Sequence, residues 1–136
     1  MTNIASLLLR LSLSAGFLSA VASRLNIFYK NAAGWQGFLQ YTAQVNSFLP
    51  LSFIPVVAVI STILETMLAL LLLFGYQTRY AATGAAILTL LFAVAMAISS
   101  GIKEPLDYSV FAFSAGAFLL STLPSYRWSI DRLLSQ

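Results

Sequence analysis

Four apolar stretches dominate this chain, at residues 4–25, 55–74, 80–100 and 106–123. Each is close to the roughly 20 residues that an α-helix needs to cross the hydrocarbon core of a bilayer. Helix is the only sensible assignment, because an open sheet leaves unpaired backbone groups facing lipid. Composition points the same way: 60% of the 136 residues are hydrophobic and 8% are charged, against about 45–50% and about 25% in a soluble domain. A soluble fold of this size has too little interior to hide so much apolar surface. The expected fold is an all-α membrane protein, one four-transmembrane-helix bundle over residues 1–136, with the lipid bilayer as its first partner.

The boundaries carry their own signals. Pro55 suits the first turn of the second span, where a missing N–H costs nothing. Gly75 reads as a C-terminal stop, and the link Gly75-Tyr76-Gln77-Thr78-Arg79 is short enough to make spans two and three an antiparallel hairpin. Pro105 opens the fourth span, with Glu104 and Asp107 beside its positive dipole end. Between spans one and two, Trp35, Phe38, Tyr41 or Thr42, Val45 and Phe48 recur every three or four positions. That spacing predicts an amphipathic helix lying in the membrane interface, with a loop packed over the bundle mouth as the alternative. Ala20-Val21-Ala22 resembles a signal-peptide cleavage site, but Arg10 lies inside the apolar run instead of ahead of it, so a retained helix is expected.

The seven basic and four acidic residues, net charge +3, are scattered, which offers no nucleic-acid patch. Four spans put both termini on one side, with Arg10, Arg79, Arg127 and Arg132; Arg24, Lys30 and Lys103 mark the other, with Glu104 and Asp107. The count leans toward cytoplasmic termini in a bacterial inner membrane. The sequence has neither cysteine nor histidine, which excludes disulfides, thiol redox chemistry, imidazole catalysis and the usual zinc sites. Met1, Met67 and Met96 are too few for a metal or haem site, so no metal and no cofactor held within the chain is expected.

Two ionisable residues lie too deep to be interface anchors: Arg10 in the first span and Glu65 in the second. Each costs about 2.5–3.5 kcal/mol at the bilayer centre, so something compensates. At about 1.5 Å per residue, Arg10 lies roughly 10 Å in from Asn3 and Glu65 roughly 16 Å in from Tyr76, a gap that an arginine side chain can close. The expectation is an Arg10–Glu65 pair, either a structural ion pair or a polar site where a proton or substrate is handled. Small residues accompany them: Ser12, Gly16 and Ala20, and Ala15, Ser19 and Ser23, on the first span, then Ala81, Ala85, Thr89, Ala93 and Ala97 on the third and Ala112 and Gly116 on the fourth. These stripes suit close packing inside the bundle, with a homo-oligomer contact as the alternative.

Several pieces match a family pattern in order and spacing. They are Leu9-Arg10-Leu11, Phe48-Leu49-Pro50, Glu65 followed by Leu70-Leu71-Leu72-Leu73-Phe74-Gly75, Thr78-Arg79 with Ala81-Ala82, and Trp128-Ser129-Ile130-Asp131 near the C-terminus. On these pieces the chain resembles the DoxX family of small four-helix bacterial membrane proteins. The resemblance implies an auxiliary or membrane-anchor subunit in a quinone- or thiol-linked redox process, with a quinone as possible ligand and a redox protein as partner. It also implies Arg10 and Glu65 as the first-ranked site residues and Arg79 and Asp131 as the second. Arg79 is otherwise a topology marker, and Asp131 otherwise pairs with Arg127 or Arg132. Two other functions fit a bundle with one embedded glutamate: a small proton-coupled transporter similar to the small multidrug resistance exporters, and a ligand-free scaffold. No catalytic constellation is visible.

Overall fold

The computed structural model describes residues 1–28 and 33–136; Lys30, counted above as a topology marker, lies outside the described residues. The described chain is helical, with α1 at Thr2–Arg24, α2 at Gly34–Val45, α3 at Ile54–Phe74, α4 at Thr78–Ser100, α5 at Lys103–Asp107, α6 at Val110–Ser121 and α7 at Ile130–Leu134. A single 3-10 turn, Leu51–Phe53, leads into α3. Of these, α1, α3 with its 3-10 turn, and α4 are long and apolar enough to cross a membrane.

Residue type by depth supports a lipid solvent. The outer surface carries large apolar side chains such as Leu8, Ile63, Leu91, Ile98 and Phe118, all exposed, whereas Arg10, Ser14, Glu65 and Thr78 are buried. Charged and hydroxyl side chains inside with large apolar ones on the outer surface is the arrangement expected where lipid, not water, surrounds the helices. The core packs Leu13 and Phe17 of α1 with Leu68 and Leu72 of α3, the alanines of α4, and Ala117 and Leu120 of α6. On α4, Ala81, Ala85, Thr89 and Ala93 are buried as the spacing predicts, and α6 lies close enough for the Ser114 hydroxyl to donate to Ala86 O at 2.7 Å. Across α1 and α3 the Ser14 hydroxyl donates to Ala69 O at 2.8 Å. Hydroxyl-to-carbonyl bonds of this kind hold helices together where hydrophobic burial gives no net drive.

The α1 stripes behave differently from the expectation of interior packing. Ser12, Ala15, Gly16 and Ser19 are exposed on the flank of α1. Gly16 still has a packing role, because a Cβ there would lie 2.8 Å from the Phe113 ring of α6, and that ring sits edge-on to Phe17 with centroids 5.1 Å apart.

The fourth apolar stretch is not the continuous helix expected over residues 106–123. Ser109 adopts φ 56°, which ends the turn of α5 and restarts the chain as α6. The Ser109 N–H donates to Leu106 O at 3.1 Å, and Phe113 N–H returns to Ser109 O at 3.0 Å. At about 1.5 Å per residue, the 12 residues of α6 reach roughly 18 Å, short of the roughly 30 Å hydrocarbon core. The other boundary signals hold: Pro55 lies in the first turn of α3, and Gly75 is the left-handed C-cap at φ 70°. Residues 34–45 form the helix α2 predicted between spans one and two.

One end of the bundle is tied by Arg10. Its Nε donates to Leu72 O at 3.1 Å and its Nη2 to Leu73 O at 3.3 Å. Its Nη1 reaches Arg127 O and Trp128 O at 3.3 and 3.2 Å. The carbonyls at the end of α3 have no helical partner of their own, so one guanidinium closes that helix and fastens the C-terminal segment to it. Asp131 completes the tie. Its carboxylate accepts from the N–H groups of Gln77 and Thr78 at 2.6 and 2.7 Å, where the dipole of α4 favours a negative charge, and its own N–H donates to Gly75 O at 2.9 Å. Asp131 thus caps α4, and the alternative by which it pairs with Arg127 or Arg132 is not the arrangement found. Gly75 is doubly constrained, since a Cβ there would sit 2.4 Å from Ser129 Cβ and 2.7 Å from Arg10 Nη2. Arg79 is exposed and donates to Leu123 O at 3.2 Å.

Arg10→Met leaves these carbonyls buried and unmatched, and an expected loss of about 3 kcal/mol follows from the charged hydrogen bonds removed. Asp131→Asn costs about 1 kcal/mol as a weakened cap. Thermal unfolding in detergent, followed by circular dichroism, measures both. The double variant falls short of the sum because the two residues anchor the same segment.

Candidate functional site

The polar centre lies toward the opposite end, and its partners are not the ones expected. Arg24 Nη1 forms an ion pair with Glu65 Oε2 and donates to Thr62 Oγ1 at 3.0 Å. Its guanidinium carbon stands 3.8 Å from the centroid of the Phe38 ring, a cation–π contact that joins α2 to the pair. One side chain at the end of α1 therefore binds α2 and α3 together.

The expected Arg10–Glu65 pair does not form, although both residues are buried, 1% and 3% exposed. Register is the first reason. Arg10 meets Leu72 and Ser14 meets Ala69, so in this antiparallel packing Glu65 lies level with about residue 18 of α1, roughly 12 Å along the axis from Arg10. Direction is the second. Side chains on a helix lean toward its N-terminus, which carries the Arg10 guanidinium away from Glu65 and carries that of Arg24 back into the bundle toward it. By position alone Arg24 reads as a flanking topology marker. The lean of helical side chains was the available signal that it could instead reach inward.

Beside the pair lies a cavity of about 210 Å³ under α2, walled by Phe38, Val45, Val57, Phe92 and Met96, with Arg24, Glu65, Tyr41, Asn46 and Tyr108 as polar lining. The break at Ser109 sets Tyr108 and Val110 against this space, so the interruption of the fourth apolar stretch shapes the site. At its rim the Tyr41 hydroxyl donates to Glu104 Oε1 at 3.3 Å. Burial, and then the neighbouring Glu104 carboxylate, push the Tyr41 phenol up to about 12, so it stays a protonated donor across the physiological range. Glu104 is thus more than a helix-dipole residue, while Asp107 makes an exposed pair with Lys103 at 2.5 Å. Glu65 spends one carboxylate oxygen on Arg24, and among the described residues its other oxygen has no hydrogen bond. Chemically the site can hold a proton or accept a hydrogen bond at that oxygen, next to an apolar chamber.

Of the four site residues expected from the sequence, Glu65 alone lies here; Arg10, Arg79 and Asp131 gather at the far end. Among the described residues no cluster of His, Cys, Asp or Glu can hold a metal ion, and of the methionines only Met96 lines the cavity.

Removing one member of a buried pair strands the other in low dielectric. Arg24→Met and Glu65→Met are each expected to lose about 3–5 kcal/mol of stability, and the double apolar variant is expected to be more stable than either single one. Melting temperatures of the three variants in one detergent decide this. Spectrophotometric titration of wild type against Tyr41→Phe isolates the Tyr41 ionisation. Glu104→Gln is expected to lower it while leaving it above the ordinary tyrosine value, since burial remains.

The resemblance to DoxX is not sustained by comparison with known families. Residues 2–107 match a different membrane family, described as Methylamine utilisation protein MauE. The Trp-Ser-Ile-Asp motif lies outside the matched region, and short leucine and alanine motifs recur among small membrane bundles because lipid selects the same residue types. No curated protein and no solved structure matches the chain. A match that takes in α1 through α5, on a helical chain with three spans apolar enough for a bilayer, identifies a membrane protein that belongs to the MauE family.

Proposed function

We propose that the chain is an auxiliary membrane protein of the redox system that methylamine utilisation requires, acting on a partner oxidoreductase during its maturation. The observation that carries this reading is the family match over residues 2–107, which includes Arg24, Phe38, Tyr41, Glu65 and Glu104. With no cysteine or histidine in the sequence, the chain brings a carboxylate–guanidinium pair and an apolar chamber, and the partner brings the redox groups. Glu65 with Arg24 is the working centre in this reading; Arg10, Asp131 and Arg79 hold the opposite mouth. The chain sits in a bacterial inner membrane with both termini cytoplasmic, α5 and α6 together completing a fourth crossing and α2 lying at the far interface. The exposed basic residues Arg79, Arg127 and Arg132 at the terminal end favour that orientation.

The test is deletion in the native host followed by complementation. The expected outcome is loss of growth on methylamine and loss of active partner enzyme, restored by the wild-type chain and not by Glu65→Gln present at equal membrane levels. Normal growth of the deletion strain, together with no oxidoreductase copurifying with the tagged chain, overturns the proposal. The cavity beside an embedded carboxylate favours a second reading, proton-coupled movement of a small solute. Uptake into vesicles that depends on a pH gradient and disappears in Glu65→Gln selects that reading instead.

A further inference from the structure

The terminal mouth carries a surface that neither reading uses. A groove of about 430 Å³ there is lined by Arg79, Tyr80, Arg132 and Ser135. Thr78, also on its wall, is a buried threonine whose hydroxyl has no hydrogen-bond partner. Arg132 also lines a neighbouring groove of about 470 Å³ whose apolar lining includes Phe74, Trp128 and Leu133. Cationic space and apolar space thus meet at one guanidinium. The only acid in the groove, Asp131, has its oxygens occupied by the N–H groups of Gln77 and Thr78. Around it, Leu133 and Leu134 are each 70% exposed and Trp128 is 56% exposed, with the Arg127 guanidinium 5.2 Å from the Trp128 ring centroid.

Water is a poor solvent for such a face, and a small soluble anion would satisfy only the arginines. An anionic amphiphile satisfies both grooves. We propose that this face is a binding site for an anionic phospholipid, the headgroup phosphate between Arg79 and Arg132 and the acyl chains along Trp128 and Leu133. Guanidinium groups match phosphate oxygens in forked geometry, and tryptophan is favoured at the headgroup level. The charge balance, Arg79, Arg127 and Arg132 against Asp131, selects against a zwitterionic choline headgroup.

Trp128 reports the site directly. In a Trp35→Phe background it is the one tryptophan left, because the sequence has two. The protein is reconstituted in phosphatidylcholine bilayers containing a minor fraction of brominated phosphatidylglycerol or, in parallel, brominated phosphatidylcholine. The expected result is a preference of about thirtyfold for the anionic lipid in quenching of Trp128, as two basic contacts near an anionic headgroup imply. Arg79→Gln with Arg132→Gln abolishes the preference, and Lys103→Gln at the other end leaves it intact. Inorganic phosphate at millimolar concentration does not relieve the quenching. Equal quenching by the two lipids overturns the site, and displacement by inorganic phosphate overturns the lipid assignment in favour of a soluble anion. Should Trp35→Phe fail to fold, native mass spectrometry of the wild-type chain from mixed-lipid nanodiscs makes the same comparison, by the retained count of each lipid. Growth on methylamine is not the readout, so the outcome is independent of the function proposed above.

Discussion

An ionised group inside an apolar bundle must find a counter-charge or a set of hydrogen-bond partners, and this requirement organises both ends of the molecule. At one end a guanidinium is matched by backbone carbonyls: Arg10 takes those of Leu72 and Leu73 and of Arg127 and Trp128. At the other, Arg24 is matched by the Glu65 carboxylate. The first arrangement leaves no charge available for chemistry, because every contact is to main chain that needs it. The second leaves a carboxylate oxygen beside open space. The difference explains why one arginine reads as architecture and the other as part of a site.

The site depends on elements that look unremarkable one at a time. α2 supplies the Phe38 ring under the guanidinium and Tyr41 at the rim. The break at Ser109 brings Tyr108 and Val110 to the cavity wall. α3 supplies the acid. An apolar chamber strengthens the electrostatics of whatever polar groups remain in it, since little water is present to screen them. Arg24 touches both the Phe38 ring of α2 and the Glu65 carboxylate of α3, so the position of α2 and the pair are mechanically joined.

Family membership narrows the function without naming a reaction. The MauE match covers α1 through α5, which supply most of the cavity wall, and omits α6 and α7, with Tyr108 and Val110 of that wall lying beyond its end. Those last elements, with the Asp131 cap and the exposed Arg127, Arg132, Leu133 and Leu134, form the rim at the terminal end. The two ends of the bundle therefore differ: a buried pair and chamber at one, a basic and aromatic rim at the other.

The helical class, the first three apolar spans, the helix α2, the Gly75 stop and the buried status of Arg10 and Glu65 were legible in the sequence, because hydrophobic length, periodicity and the cost of charge in lipid act locally. Tertiary packing alone decided which charges meet. Helix register set Arg10 opposite Leu72, and the lean of helical side chains turned Arg24 inward to Glu65; neither follows from counting residues inward from assumed membrane boundaries. Packing also decided the break at Ser109 and the capping of α4 by Asp131 from more than 50 residues away. Such contacts depend on where distant backbone groups come to rest, and a linear chain carries no direct mark of that.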